Sequence, residues 1–275
     1  MDSITFLTFA FNSIFYKSHH GMACPLCVAV HSLRTYHPND DIILMHTPEV
    51  HSNELKFLND EYRVILKKVN NIPMPHSCKN GSFHKPNVFM KLNMWKLKKY
   101  TNILAFDADV MFVNRVSLSP CTYTYCGSPR GVQYVPHFLQ RLVPSKYRSI
   151  NHGVVQFSPS YSVFSKLLRQ LANLSGCGNG EGYEQRLYKV ALENDYNNKM
   201  SIFTEGVGTF SSAFNCRSFG SWAGCGMLDL QKTAIYHWSS GSGKPWLSLH
   251  NRYEDNMWHG LHNLVLQNLQ RQYLI

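Results

Sequence analysis

Asn102-Ile103-Leu104-Ala105-Phe106-Asp107-Ala108-Asp109-Val110-Met111-Phe112 is an apolar run broken by two carboxylates. A short apolar run of this kind reads as a buried strand. Side chains on a strand alternate between faces, so Asp107 and Asp109 are expected on one side, past the strand's end. Like charges placed together repel unless a cation sits between them. A hard divalent ion with oxygen ligands satisfies both carboxylates. In an open α/β sheet, ligands bind at the carboxyl ends of strands. The stretch therefore points to a metal-dependent site for a phosphate-bearing ligand. Two other readings share the pattern: a solvated strand terminus, and a phosphatase whose first aspartate is the nucleophile.

Around this stretch the chain alternates strands and helices. Residues 4–11 are β-prone and precede a polar loop over 12–21. Apolar residues at helical spacing over 23–36 (Leu26, Val30, Leu33) predict a helix. Strands follow at 42–46 and 62–69, separated by a short helix over 52–59 with Ser52 as its N-cap. Helices are expected at 87–97, 159–174, 183–193 and 255–270, and strands at 154–157 and 233–238. The stretches 70–84, 117–147 and 200–225 are irregular, and Ser239-Ser240-Gly241-Ser242-Gly243-Lys244-Pro245-Trp246 is a Gly/Ser loop. Strands separated by helices argue for βαβ units and a parallel sheet. No repeat or linker divides the chain, so one domain over 1–275 is expected, with its core in 4–246 and a helical tail in 247–275.

The chain is 275 residues long, 44% hydrophobic and 16% charged, a balance that excludes a disordered chain. Lys and Arg outnumber Asp and Glu by 27 to 17, which suits anionic ligands. No basic tail or aromatic–basic repeat singles out nucleic acid. No window approaches the ~20 apolar residues that span a bilayer. The N-terminus enters a strand without a signal-peptide pattern, so a cytoplasmic location is expected. Of the eight cysteines, Cys24-Pro-Leu-Cys27 forms a CxxC whose flanks read as a helix start, with no second pair at zinc-finger spacing. The other six, Cys126 among them, are scattered and read as free thiols.

Glycines in 239–246 let a backbone approach phosphate, Lys244 adds a positive charge, and His237 at the end of a strand is a potential metal ligand. Phe106-Asp107-Ala108-Asp109, Asn151-His152-Gly153-Val154, Glu184-Gln185 and His237 through Lys244-Pro245-Trp246 follow in order. With Lys91-Leu-Asn-Met-Trp95 upstream, they resemble the motifs of the glycogenin-like glycosyltransferases, family 8 of the nucleotide-sugar transferases. The resemblance spans residues 4–246. It implies an α/β, GT-A fold: one Rossmann-like nucleotide-binding domain with a mixed, mostly parallel central sheet. It also implies a UDP-sugar donor, Mn²⁺ (or Mg²⁺) as cofactor, and a carbohydrate, polyol or glycoprotein acceptor. A homodimer is compatible with it.

By the same resemblance, Asp107, Asp109 and His237 would hold the metal, and Lys244, Gly241 and Gly243 the diphosphate. Lys91 would sit by the diphosphate or the donor sugar. Asn151 and Glu184 would hydrogen-bond the sugar, with Ala108 and Gly153 lining the same site. Gln185 would lie near the anomeric carbon, on the face away from UDP. Thr8, Phe9 and Asn12 would border the nucleoside, and Tyr16 could stack on uracil. Glu184 in place of the family's usual Asp, and the seven-residue step from His237 to Lys244, resemble the galactinol-synthase-like branch. His152 replaces a usual Ser or Ala, and no counterpart of glycogenin's self-glycosylated tyrosine is found. The implied reaction is retaining, with Glu184 and Gln185 as the candidate catalytic pair and front-face attack favoured. Two rivals stand beside it. One is a non-catalytic sugar-nucleotide or nucleic-acid binding protein on this scaffold. The other is a phosphatase of the haloacid dehalogenase type, which needs a downstream acidic pair, whereas Asp40-Asp41 lies upstream.

Overall fold

The computed structural model describes residues 4–18, 21–75, 87–117, 125–130, 149–174, 184–191, 215–217, 234–238, 244–247 and 253–273. Gly241 and Gly243 lie outside them, as do the side chains of Tyr16 and Asn151.

A six-stranded sheet forms the centre, in the order β5 (Ile65–Lys68), β4 (Ile42–His46), β1 (Thr5–Ala10), β6 (Ile103–Phe106), β9 (Ser149–Phe157), β8 (Tyr125–Arg130). β5, β4, β1 and β6 run parallel, and β6–β9 and β9–β8 are antiparallel. The chain builds outward from β1 through α1 (Pro25–Tyr36) to β4 and through α2 (Ser52–Tyr62) to β5. It then crosses to the other side of β1 to lay down β6. That reversal puts a switch point at the carboxyl ends of β1 and β6, the position of the ligand crevice in open α/β sheets.

The central strands β1, β4 and β6 are buried throughout and read as nearly continuous apolar runs, because both faces are covered, whereas the edge strand β5 is exposed. On β1, Leu7 and Phe9 enter one core cluster with Ile43, Met45, Trp95 and Leu167, while Phe6 and Ala10 enter the other with Leu26, Val30, Leu44 and Phe57. The first cluster lies under a 3₁₀ helix (Val88–Lys96), α3 (Tyr161–Ala172) and α4 (184–191), the second under α1 and α2. A small sheet, β10 (Asn215–Arg217), β11 (Ile235–His237), β7 (Val110–Phe112), caps the carboxyl end. The tail forms α5 (Tyr253–Tyr273), which packs on α1. Its Trp258 joins Trp238 and Trp246 in a third cluster.

Several expectations are corrected. The 102–112 run is not one strand: it ends as β6, turns at Asp107–Asp109 and restarts as β7 in a different sheet. Strand alternation therefore does not set the two carboxylates. The 87–97 helix is wound as 3₁₀, with Asn93 Nδ2 taking the Met90 carbonyl three residues back and so competing with longer-range helical bonding. α2 is preceded by His51 at the N-cap and has no side-chain cap, so Ser52 sits inside the first turn. Within 12–21 a short hairpin begins, β2 (Tyr16–Ser18) with β3 (Gly21–Ala23). β8 forms inside the stretch read as irregular. Cys24 and Cys27 are joined by a disulfide at the start of α1, and Cys126 is also disulfide-bonded rather than free.

Candidate active site

Two charge clusters meet at the carboxyl edge, one on each flank of the Asp107–Asp109 turn. In the first, Asp107 follows β6, and its backbone N–H donates to Gly153 O on β9 at 2.8 Å. The 3₁₀ helix brings Lys91, whose Nζ donates to Asp107 Oδ1 at 2.6 Å and lies 3.4 Å from Glu184 Oε1, at the start of α4. The same ammonium lies 5.6 Å from the Phe9 ring centroid. Burial alone would lower the Lys91 pKa, but Asp107 and Glu184 outweigh it and raise the pKa above the usual lysine value.

In the second cluster, β7 pairs antiparallel with β11, putting His237 opposite Val110. The Trp238 N–H donates to Asp109 O at 3.0 Å, and His237 Nε2 stands 3.4 Å from Asp109 Oδ1. Lys244 donates from Nζ to Asp109 Oδ2 and to Trp238 O. Burial would raise the Asp109 pKa, but Lys244 and then His237 hold it far below the ordinary carboxylate range.

Among the described residues, Asp109 Oδ1 and His237 Nδ1 are buried and make no hydrogen bond. A buried carboxylate oxygen left without a donor is costly in an ordinary interior, and it suits a metal ligand. Two ligands of one divalent ion, each about 2.1 Å from it at a right angle, lie roughly 3 Å apart. The Asp109–His237 spacing fits that ion. Asp107 is turned to Lys91 instead, and among the described residues no group of three His, Cys, Asp or Glu side chains encloses one point. The structure therefore unites Asp109 with His237, and keeps Asp107 with Lys91 and Glu184.

The other expected residues divide. Asn12, exposed at the end of β1, takes a left-handed φ of 70°, which asparagine tolerates, and its Oδ1 accepts from Asn87 Nδ2 at 3.0 Å. It ties the rim of the crevice to the 3₁₀ helix. Phe9 is in contact with Lys91 as described, whereas Thr8 is 0% exposed and its hydroxyl faces the interior. Gln185 is half-buried next to Glu184, and Ala108 is half-buried in the turn.

An aromatic group behind Glu184 was not read from the sequence. β9 carries extra residues opposite the Gly127/Ser128 step of β8, and such bulges re-aim side chains. His152 there lies edge-on to Tyr188 at 4.4 Å between centroids and to Tyr125 at 5.7 Å. Tyr188 OH accepts from Trp95 Nε1 at 2.6 Å. The available signal was spacing: Tyr188 is one helical turn after Glu184, and Trp95 follows Lys91 by the same four residues.

Comparison with solved structures places the fold. The chain superposes on the galactosyltransferase LgtC, solved with donor and acceptor sugar analogues, with a TM-score of 0.56 at 14% identity, over 94% of this chain and 95% of that one. It superposes on the glycosyltransferase GlyE of Streptococcus pneumoniae TIGR4 with 0.60 at 12% identity, over 98% of this chain and 64% of that one. Mouse xyloside xylosyltransferase 1 gives 0.50 at 14% identity, over 86% of this chain and 98% of that one. No family model and no curated protein matches the sequence. The fold is the GT-A glycosyltransferase fold.

Proposed function

We propose that this chain is a retaining glycosyltransferase that moves a hexosyl or pentosyl group from a UDP-sugar to an acceptor hydroxyl with Mn²⁺, or Mg²⁺ in its place. The observation that carries the reading is the pair Asp109 Oδ1 and His237 Nε2, 3.4 Å apart at the carboxyl edge of a GT-A sheet, with a lysine at each side of the turn. Asp109 and His237 would hold the ion, with Asp107 near enough in the chain to join them. The ion would neutralise the diphosphate and stabilise UDP as it leaves.

The chain's own groups supply the rest. Lys244 and Lys91 offer two ammonium groups to an anionic donor on the two flanks of the turn. Glu184 is held by Lys91, so it is a sugar-orienting acceptor and not a free nucleophile. With Gln185 a poor nucleophile as well, this favours front-face attack, in which the leaving diphosphate oxygen helps take the acceptor proton. Asp40, the acidic neighbour that a haloacid dehalogenase reading would need, binds His37 Nδ1 at 2.7 Å before β4, at the opposite edge of the sheet from Asp107. Acceptors in keeping with the fold are carbohydrates, polyols and glycoproteins.

Among the described residues no helix is long and apolar enough to cross a membrane. The Cys24–Cys27 disulfide and the bonded Cys126 support an oxidising compartment over the cytoplasmic one expected from the N-terminus.

The test is release of UDP from UDP-glucose, UDP-galactose, UDP-xylose and UDP-galacturonate, with and without Mn²⁺. Metal-dependent turnover of at least one donor, with the anomeric configuration kept in the product, is expected. Turnover of none, or an inverted product, refutes the proposal.

A further inference from the structure

Lys244 and a divalent ion compete for the same carboxylate. The ammonium is on Asp109 Oδ2, and its second partner is the carbonyl of Trp238, the residue next to His237. It thus sits against Asp109 and against the backbone that follows His237. All three side chains are largely withdrawn from water, at 20%, 3% and 14% exposure for Asp109, His237 and Lys244. Charges in such a setting are weakly screened, so an ammonium and a divalent ion on one carboxylate repel strongly.

We propose that Lys244 is an internal counter-cation that keeps the metal weakly bound until a nucleotide diphosphate arrives. This rests on the functional reading above. The lysine stem is flexible and its three donors rotate. A diphosphate offers it richer acceptors than one carboxylate, so the ammonium transfers to the phosphate oxygens and releases Asp109 Oδ2. Asp109 would then be freed of the ammonium and, with His237, could hold the ion. Metal and nucleotide are taken up together because one lysine links the two sites, and the free ion alone is disfavoured.

The experiment is titration of Mn²⁺ into the full chain, followed by the electron paramagnetic resonance signal of free Mn²⁺, without and with saturating UDP. It is run on the wild type, Lys244→Gln and Lys244→Met, with melting curves to show that each is folded. Without UDP, both variants should bind Mn²⁺ about tenfold more tightly than the wild type, inside the usual range of site–site coupling. Mn²⁺ alone should also raise their melting temperature by more than it raises that of the wild type. UDP should enhance Mn²⁺ binding less in the variants. Lys244→Arg, which keeps the charge, should stay close to the wild type. Should the wild type take up Mn²⁺ with UDP while folded variants bind Mn²⁺ alone no more tightly than it does, the counter-cation role is overturned and the transferase reading stands. If the wild type takes up neither Mn²⁺ nor UDP, the transferase reading falls and this inference with it.

Discussion

Replacing Lys91 with methionine tests the first charge cluster as a piece of structure. Lys91 Nζ serves Asp107 at 2.6 Å and Glu184 at 3.4 Å, with side-chain exposures of 12%, 28% and 14% respectively. Methionine keeps most of the stem's volume but leaves two partly buried carboxylates facing each other without a cation. Breaking a fully buried ion pair from one side costs about 3–5 kcal/mol. Asp107 retains some water, so the expected loss is about 2–3 kcal/mol, or roughly 5–10 °C in melting temperature for a chain of this size. The assay is urea denaturation at pH 7, with melting curves alongside. Lys91→Met combined with Asp107→Asn should recover about half of the loss, because one of the two unpaired charges is gone. The pH profile has a defined sign. The Lys91 pKa is raised on folding, so its contribution is fully present below the unfolded lysine value of about 10.4 and is lost only as pH rises through the folded value. The gap between wild type and variant should stay flat from pH 6 to 9 and close only above about pH 10.5. A variant as stable as the wild type at pH 7, or a gap that collapses between pH 6 and 9, would refute this account of the cluster.

Three further outcomes follow from the same geometry. Tyr188→Phe removes the acceptor of the Trp95 indole N–H, so unfolding studies should show a loss of about 1–3 kcal/mol. Gly260→Ala, inside α5 where an added Cβ meets nothing within 4 Å, should raise stability by about 0.5–1 kcal/mol in the same assay. His262, stacked on Trp258 with its Nε2 accepting from Cys24 N–H at 3.4 Å, has its pKa lowered by burial to about 4. The unfolded chain takes that proton near pH 6.5. Stability should therefore hold above about pH 6.5 and fall between there and pH 4, and the slope in that window should shrink in His262→Gln.

The βαβ frame was legible because a sheet covered on both faces writes itself as uninterrupted apolar runs. Ile42 to Met45 and Ile103 to Phe106 read that way, as does Phe6 to Ala10 apart from Thr8, and all three form strands. The mixed, mostly parallel sheet of the GT-A fold was expected from the motif order and is present. What misled was local. The Asp107–Asp109 turn carries no glycine or proline to announce it, so β6 and β7 looked like one strand, although they bond into different sheets. β8 hides behind Gly127 and Pro129, residues that weaken a strand signal, and it is held by its ladder to β9. At the site, the pairing of Asp109 with His237, 128 positions later, followed from the motif and is present as a contact. That both carboxylates of the triplet are held by lysines could not be read from spacing, because it depends on where the fold brings Lys91 and Lys244. Cys126 was misread for a related reason: its bonding is set by tertiary position, and scatter along the chain says nothing of it.

The central claim is that Asp109 and His237 share one metal ion beside a nucleotide diphosphate. Anomalous diffraction at the manganese edge, from crystals grown with Mn²⁺ and UDP, measures this directly. The account predicts a single strong peak within about 2.3 Å of both Asp109 and His237, with the diphosphate against it and Lys244 on the phosphate oxygens. A fully occupied nucleotide with no peak between those two side chains, or a peak held by other residues, would contradict it.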